Sequence, residues 1–446
     1  MLLKKQQLNP TKLIALGYCA IILIGAVLLT LPISSKNGVM TPFIDALFTA
    51  ATSTCVTGLV VYDTYSHWSL FGQLIIITLI QVGGIGFMTV AISAVSLTKR
   101  KIGLSNRYVM QESIAAPHMG GIVRLTKLVV FGTLFFEISG AFLLSFKFIP
   151  ELGALRGIYF SVFHSVSAFC NAGIDLMGYY SPFSSLVTVG NNYLFLIVIM
   201  GLIIVGGLGF FVWSDLLEHG LKFKRYSLHT KVVLATTVFL IIFGAVLIYI
   251  FEMKGTAFQG MEQHQKVMAS LFQAVSPRTA GFNSIDLTAL TDSSLLLIIC
   301  LMIVGGSPGS TAGGIKTTTF TILVLSIVAV VKRKKSVECF SRRIDEETFR
   351  QVCSILMMYL ILVMFSTMAV CAIDGLDFMA VLFETSSAVG TVGLTLGITP
   401  ELSGVSKFIV LLLMYFGRVG GISVLLAISN RVPAAYRYPQ EKIAVG

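Results

Sequence analysis

The chain has 446 residues, 55% of them apolar and only 12% charged, and its mean hydropathy is +0.88. That composition excludes a soluble globular domain and describes an integral membrane protein. A formal net charge of +11 would suit a nucleic-acid binder, but the basic residues fall in short blocks between apolar segments with no interleaved aromatic pattern, which excludes that class.

The N-terminus, MLLKKQQLNPTK, is basic and leads into an apolar run from Leu13 to Leu31. No small-residue cleavage site precedes the next turn, so this run is expected to stay as a first membrane span. Seven further segments of membrane length follow: Trp68 to Leu97, Leu128 to Phe148, Tyr193 to Leu217, Val232 to Phe251, Ser293 to Val331, Val352 to Ile373 and Phe408 to Ile428. The cysteines, Cys19, Cys55, Cys170, Cys300, Cys339, Cys353 and Cys371, are odd in number and lack C-x-x-C spacing. They read as buried thiols, not as a disulfide or metal framework.

Between the spans of each successive pair lies a shorter, half-apolar stretch that ends near a glycine. In order these are LFTAATSTCVTGLVVYD, VFHSVSAFCNAGIDLMG, LFQAVSPRTAGFNSIDL and LFETSSAVGTVGLTLGI. Their glycines, Gly58, Gly173, Gly281 and Gly393, are 115, 108 and 112 residues apart. A period of that length, with span, short helix, glycine turn and span in every copy, divides the chain into four like units at residues 1–98, 99–220, 221–335 and 336–446.

A stretch such as Pro42 to Ser53 makes roughly 18 Å of helix, too little to cross roughly 30 Å of hydrocarbon, so it must enter and return on one side. The partly negative end of such a helix then points into the membrane, and the returning strand offers backbone carbonyls that glycine lets converge on one axis. One glycine turn would be ordinary. Four in the same setting, Val56-Thr57-Gly58, Asn171-Ala172-Gly173, Thr279-Ala280-Gly281 and Thr391-Val392-Gly393, point to a cation filter.

The second span of every unit has a glycine-rich midpoint (QVGGIGF, IVGGLGF, IVGGSPGSTAGG, YFGRVGG), which suits close packing or bending. Only the third is interrupted by many polar residues, and at 39 residues it is too long for one crossing. Lipid cannot accept a looped-out segment, but a cavity beneath the filter can. Residues 304–319 are therefore expected to form a gating loop in the ion path, made pliable by Gly305, Gly306, Gly309, Gly313 and Gly314 and carrying Ser310, Thr311 and Lys316. Arg418, at the matching depth of the fourth unit, is expected to act as an electrostatic barrier that also holds the loop. The run GSTAGGIKTT is not a phosphate-binding loop, because Ile315 separates Gly314 from Lys316 and no strand precedes it.

Counting the inter-unit loops and both termini on one side collects 23 of the 32 lysines and arginines, which places the termini in the cytoplasm. The run VKRKKSVECFSRR reads as a topology determinant facing anionic headgroups. Arg278 is expected to brace its loop through an ion pair with Glu384, and Asp63, Asp175 and Asp286 to line the outer mouth. Glu137 has no evident partner.

The strands TCVTGL, RTAGFN and GTVGLT, with the broken span of the third unit, resemble the Trk/Ktr/HKT superfamily of potassium transporters, nearest to its KtrB-type membrane subunits, over nearly the whole chain. The resemblance implies an all-α membrane protein of four tandem span/pore-helix/span repeats, eight transmembrane helices plus four re-entrant pore loops around one central pore. It also implies K+ uptake with K+ at filter backbone carbonyls, Na+ as a stimulating ion and no cofactor bound by this chain. The expected partners are a second copy, giving a homodimer, and a cytoplasmic RCK-type regulatory ring that binds nucleotide. The location is a bacterial plasma membrane. In that family serine at the first loop's glycine goes with sodium; here the residue is Gly58. Two other classes fit the sequence less well. A sodium-coupled carrier with inverted repeats should show broken spans in paired halves, and a membrane enzyme needs a nucleophile, base and orienter set that is missing.

Overall fold

The computed structural model describes residues 10–87, 89, 111, 121–334, 336–420 and 441. The basic positions Lys4, Lys5, Lys99, Arg100, Lys101, Arg107, Lys335, Arg431, Arg437 and Lys442, and the far ends of the expected second and eighth spans, lie outside the described residues.

Four times along the chain a long helix is followed by a short one and then by a helix that stops early. First come α1 (Pro10–Thr30), α2 (Phe43–Cys55), the one-turn α3 (Thr64–His67) and α4 (Leu70–Ile85). Next are α5 (Ile122–Leu152), α6 (Ala154–Phe169), α7 (Tyr193–Leu208) and α8 (Phe210–His219). The third set is α9 (Leu228–Glu252), α10 (Gln263–Val275), α11 (Asp292–Ile303) and α12 (Thr317–Val331). A two-stranded hairpin, β1 (Glu338–Cys339) with β2 (Arg342–Arg343), leads to α13 (Glu346–Asp374), α14 (Phe378–Gly390) and α15 (Gly404–Val419).

Polarity runs opposite to that of a soluble protein. The long helices α1, α5, α9 and α13 are apolar enough to cross a membrane and turn residues such as Ile24, Phe131, Phe135, Ile242 and Phe365 outward. The short helices α2, α6, α10 and α14 bury their C-terminal halves, and α2, α6 and α14 are rich in Ser and Thr. Their hydroxyls bond back to carbonyls one turn earlier, as Thr49 does to Asp45 at 2.8 Å and Ser53 to Thr49 at 2.7 Å, which makes burial affordable where no water is present.

The sequence singles out only the third of the stopping helices as broken, but all four end within the apolar zone. α4 stops at Gly86 (φ 87°), α7 at Gly209 (φ 94°), α11 at Ile303 and α15 at Gly420 (φ 87°). The α7–α8 pair bends by 93°, so the expected continuous span from Tyr193 to Leu217 is two helices. Close packing also occurs: a methyl group on Gly83, Gly206 or Gly417 would lie 1.9, 2.0 or 2.2 Å from the carbonyl oxygens of Thr54, Phe169 and Val389 at the ends of short helices. The expectation of uniformly buried thiols is corrected. Cys55 and Cys170 are buried, whereas Cys19 and Cys300 lie exposed on outward apolar faces, where a thiol behaves as a small hydrophobe.

Candidate functional site

The strands that follow the four short helices meet. A methyl group on Gly58 would lie 2.5 Å from the Ala172 carbonyl oxygen, one on Gly173 would lie 2.6 Å from that of Ala280, one on Gly281 would lie 2.4 Å from that of Val392, and one on Gly393 would lie 2.1 Å from that of Thr57. The four strands thus close a ring in chain order, each glycine against the carbonyl of the next strand. No side chain fits inside such a ring.

Its backbone alternates in hand. Val56, Asn171, Thr279 and Thr391 have φ of 55°, 60°, 71° and 51°, and the glycines two residues on have φ of 101°, 65°, 77° and 94°, while Thr57, Ala172, Ala280 and Val392 between them do not enter this region. Alternation of left- and right-handed residues turns successive carbonyls toward one side, instead of to opposite sides as in a strand. Non-glycine residues in the left-handed region are strained and persist only where surroundings hold them. Hydroxyls on the short helices supply that hold. Thr52 Oγ1 accepts from Gly58 N at 3.0 Å and Ser387 Oγ accepts from Gly393 N at 2.9 Å. Ser167 Oγ donates to the Ile174 carbonyl at 2.6 Å, and Ser276 Oγ donates to the Phe282 carbonyl. The signal for these four residues in the sequence is a hydroxyl five or six places before each glycine.

On one side the ring forms the floor of a 440 Å3 cavity lined by Gly58, Gly173, Gly281 and Gly393. The expected mouth residues Asp63, Asp175 and Asp286 line it, together with Glu401, which was not anticipated. A concavity with a carboxylate from each quarter of the chain concentrates cations.

The irregular segment, residues 304–316, ends at residue 316 and not at 319 as expected, because Thr317 already begins α12, and it lies against the other side of the ring. A methyl group on Gly313 would come within 2.1 Å of Thr391 Oγ1, and one on Gly305 within 3.2 Å of Thr279 Cγ2. The segment is pinned despite its glycines. Ser307 N and Thr311 N donate to the Gly207 and Gly206 carbonyls at 3.0 and 3.3 Å, Phe210 N donates to the Gly309 carbonyl at 2.7 Å, and Gly305 N to Ile315 at 2.8 Å. The break in α7 is what exposes those partners. Arg418 donates to the carbonyls of Thr311 and Gly83, and to that of Gly84 at 2.9 Å, so it ties the segment to α4 as well as α15. Lys316 folds back on its own segment, its Nζ 2.7 Å from the Ala312 and 3.3 Å from the Gly313 carbonyl oxygen. Gly306, Ser310 and Gly314 complete it; Ser310 Oγ donates to Ser307 at 2.7 Å.

The expected ion pair between Arg278 and Glu384 does not form. Arg278 donates instead to Thr237 Oγ1 on α9 at 3.2 Å, and Glu384 accepts from Thr395 Oγ1 at 2.6 Å and from Thr399 Oγ1. Each finds hydroxyls within its own quarter, which removes the need to cross between quarters. Glu137 does have a partner: Gln81 Nε2 donates to it at 3.0 Å, and Ser165 Oγ bonds its carbonyl at 2.7 Å.

Comparison with known proteins bears on this arrangement. The pattern of the family described as TrkH, cation transport protein, matches residues 11–437. The potassium/sodium uptake protein NtpJ of Enterococcus hirae is 41% identical over 99% of this chain and 98% of its own length. Ktr system potassium uptake protein B of Bacillus subtilis is 37% identical over 100% and 98%. The crystal structure of the potassium transporter TrkH from Vibrio parahaemolyticus superposes with a TM-score of 0.75 at 16% identity, covering 96% of this chain and 87% of that one, which is a likeness of fold.

Proposed function

As this chain belongs to the TrkH family of cation transport proteins, a family of membrane transporters and not of enzymes, we propose that it is a potassium uptake subunit whose four glycine strands form the selectivity filter. The observation that carries the proposal is the ring of Gly58, Gly173, Gly281 and Gly393, closed in chain order and backed by alternating left-handed residues. Carbonyls of Val56, Thr57, Asn171, Ala172, Thr279, Ala280, Thr391 and Val392 replace the water shell of a dehydrated K+. The short helices are re-entrant pore helices, and the four quarters divide near residues 98, 220 and 335.

Residues 304–316 and Arg418 act as the gate. The segment blocks the inner end of the filter, and Arg418 adds a positive charge there while tying the segment down. The names of the relatives support potassium as substrate and sodium as a second ion. A homodimer, a nucleotide-binding regulatory ring, a bacterial plasma membrane and cytoplasmic termini belong to the same reading. The test is K+ uptake by a strain without K+ transporters of its own, followed by K+ and Na+ flux in liposomes. Restored growth on low K+ with selective flux is expected; absence of K+ flux would overturn the reading.

A further inference from the structure

Beyond the ring, the strands that leave it are held from behind by buried ionisable side chains. On α6, His164 has no exposed surface; its Nδ1 lies 2.8 Å from the Phe160 carbonyl oxygen and its Nε2 3.3 Å from the Leu176 amide nitrogen. A carbonyl only accepts and an amide N–H only donates, so Nδ1 carries the proton and Nε2 is a bare acceptor. Phe148 stacks on the imidazole at 5.1 Å, and Phe160, Phe163 and Phe195 close around it, which leaves the ring one orientation.

Glu384 holds the equivalent place on α14, nine residues before Gly393 as His164 is nine before Gly173. It is 1% exposed and accepts from Thr395 Oγ1 at 2.6 Å, on the strand leaving Gly393, and from Thr399 Oγ1, at the start of the helical turn that follows that strand. The other two strands are held further from the glycine or from a neighbouring quarter. Tyr62 reaches back to Asp45 on α2 at 2.9 Å, and Asn283 N donates to Ser185 Oγ at 3.2 Å from the neighbouring quarter, Phe272 standing where His164 would be. The strands of Gly173 and Gly393 face each other across the ring, since contact runs in the order 58, 173, 281, 393.

We propose that His164 and Glu384 are positioning residues for this diagonal: by fixing the strands that leave Gly173 and Gly393 they set the ring's aperture, and with it the discrimination between K+ and Na+, without touching the ion. The inference rests on the filter reading above. Hydroxyl posts hold each strand at the glycine or one residue past it, but a strand pinned only there still pivots further out. The second attachment, at Leu176 three residues past Gly173 and at Thr395 and Thr399 two and six residues past Gly393, removes that freedom. Ion discrimination depends on the spacing and number of carbonyls facing the ion, so a pivot of one strand is felt at all four.

The two nitrogens of His164 can be separated by substitution. In His164→Asn an amide remains near the Phe160 carbonyl and the Leu176 N–H loses its acceptor; in His164→Gln the longer side chain brings an oxygen to that N–H. Potassium and sodium flux in liposomes should show the K+/Na+ ratio of His164→Asn reduced roughly tenfold, with KM for K+ raised more than the maximal rate is lowered, and that of His164→Gln within about twofold of the parent. Thr399→Val, which removes a donor from Glu384 and leaves α14 intact, should lower the ratio in the same direction. Should His164→Asn fail to reach the membrane, Thr399→Val alone decides. Equal effects of the two His164 variants, or an unchanged ratio in both His164→Asn and Thr399→Val, would overturn the inference. Gly58→Ser distinguishes the failures: if it shifts the ratio while the others do not, only the positioning role falls, and if it too is without effect the filter reading falls with it.

Discussion

Lys407 and Asp45, 362 positions apart, form an ion pair with Nζ 2.7 Å from Oδ1, both side chains largely buried. The pair joins the start of α15 to the start of α2, so it ties the last quarter of the chain to the first and closes the bundle around the ring. Tyr62 donates to the second oxygen of Asp45 at 2.9 Å, which leaves the carboxylate well satisfied.

Removing one partner of such a pair strands a buried charge, at a cost of about 3–5 kcal/mol. Lys407→Met should therefore lower unfolding stability in detergent by an amount in that range, and Asp45→Asn combined with Lys407→Met should lose less than the sum of the two single changes. Additive losses in the double-mutant cycle would show that the pair does not couple the two ends.

Gly58 has φ of 101° and meets Ala172 where a side chain would stand. Gly58→Ser is expected to push the first strand outward and to lower the K+/Na+ permeability ratio by roughly tenfold, a change of about 1.4 kcal/mol in discrimination. Reconstituted vesicles measure this directly, and an unaltered ratio would speak against a four-strand filter.

Arg418 binds three carbonyls, one on the irregular segment and two at the end of α4. Losing it removes both the charge and the tether. Arg418→Ala, and deletion of residues 309–314, should each raise K+ flux in the absence of any activating partner, with Arg418→Lys intermediate because an ammonium lacks the planar fork. Basal flux that stays at the parent level in both variants would reject the gate.

Gly313 on the segment packs against Thr391 of the ring, leaving no room for a side chain. A methyl group in Gly313→Ala would collide with Thr391 Oγ1 and displace the segment, so basal flux should rise. Adding Thr391→Ala removes the obstructing atoms, and the double variant should leak less than Gly313→Ala alone. A double variant that leaks more would mean the two residues act independently.

The regularities that sequence displays are local or periodic, and those were legible. Four glycines in like settings at spacings of 115, 108 and 112 residues identified the strands that meet, and the polar interruption from Gly305 to Lys316 identified the irregular segment, because lipid tolerates neither feature unless protein surrounds it. The resemblance carried by those motifs led to the family that comparison then established.

What a side chain pairs with was not legible. Arg278 and Glu384 looked like a natural couple by charge, yet each found hydroxyls nearer at hand, on Thr237 and on Thr395 with Thr399. The halt of α4 and α15 at Gly86 and Gly420 gives no stronger signal than any glycine in an apolar run. The amino-acid order by itself determined that this chain enters a membrane, that it carries one pattern four times, and that the third copy is interrupted, because hydropathy and backbone freedom belong to each residue alone. Only the tertiary structure decided that Lys407 reaches Asp45, that Arg418 reaches Thr311, and that His164 stands behind Leu176, because such partners are chosen by distance in space among groups with equal chemical claims.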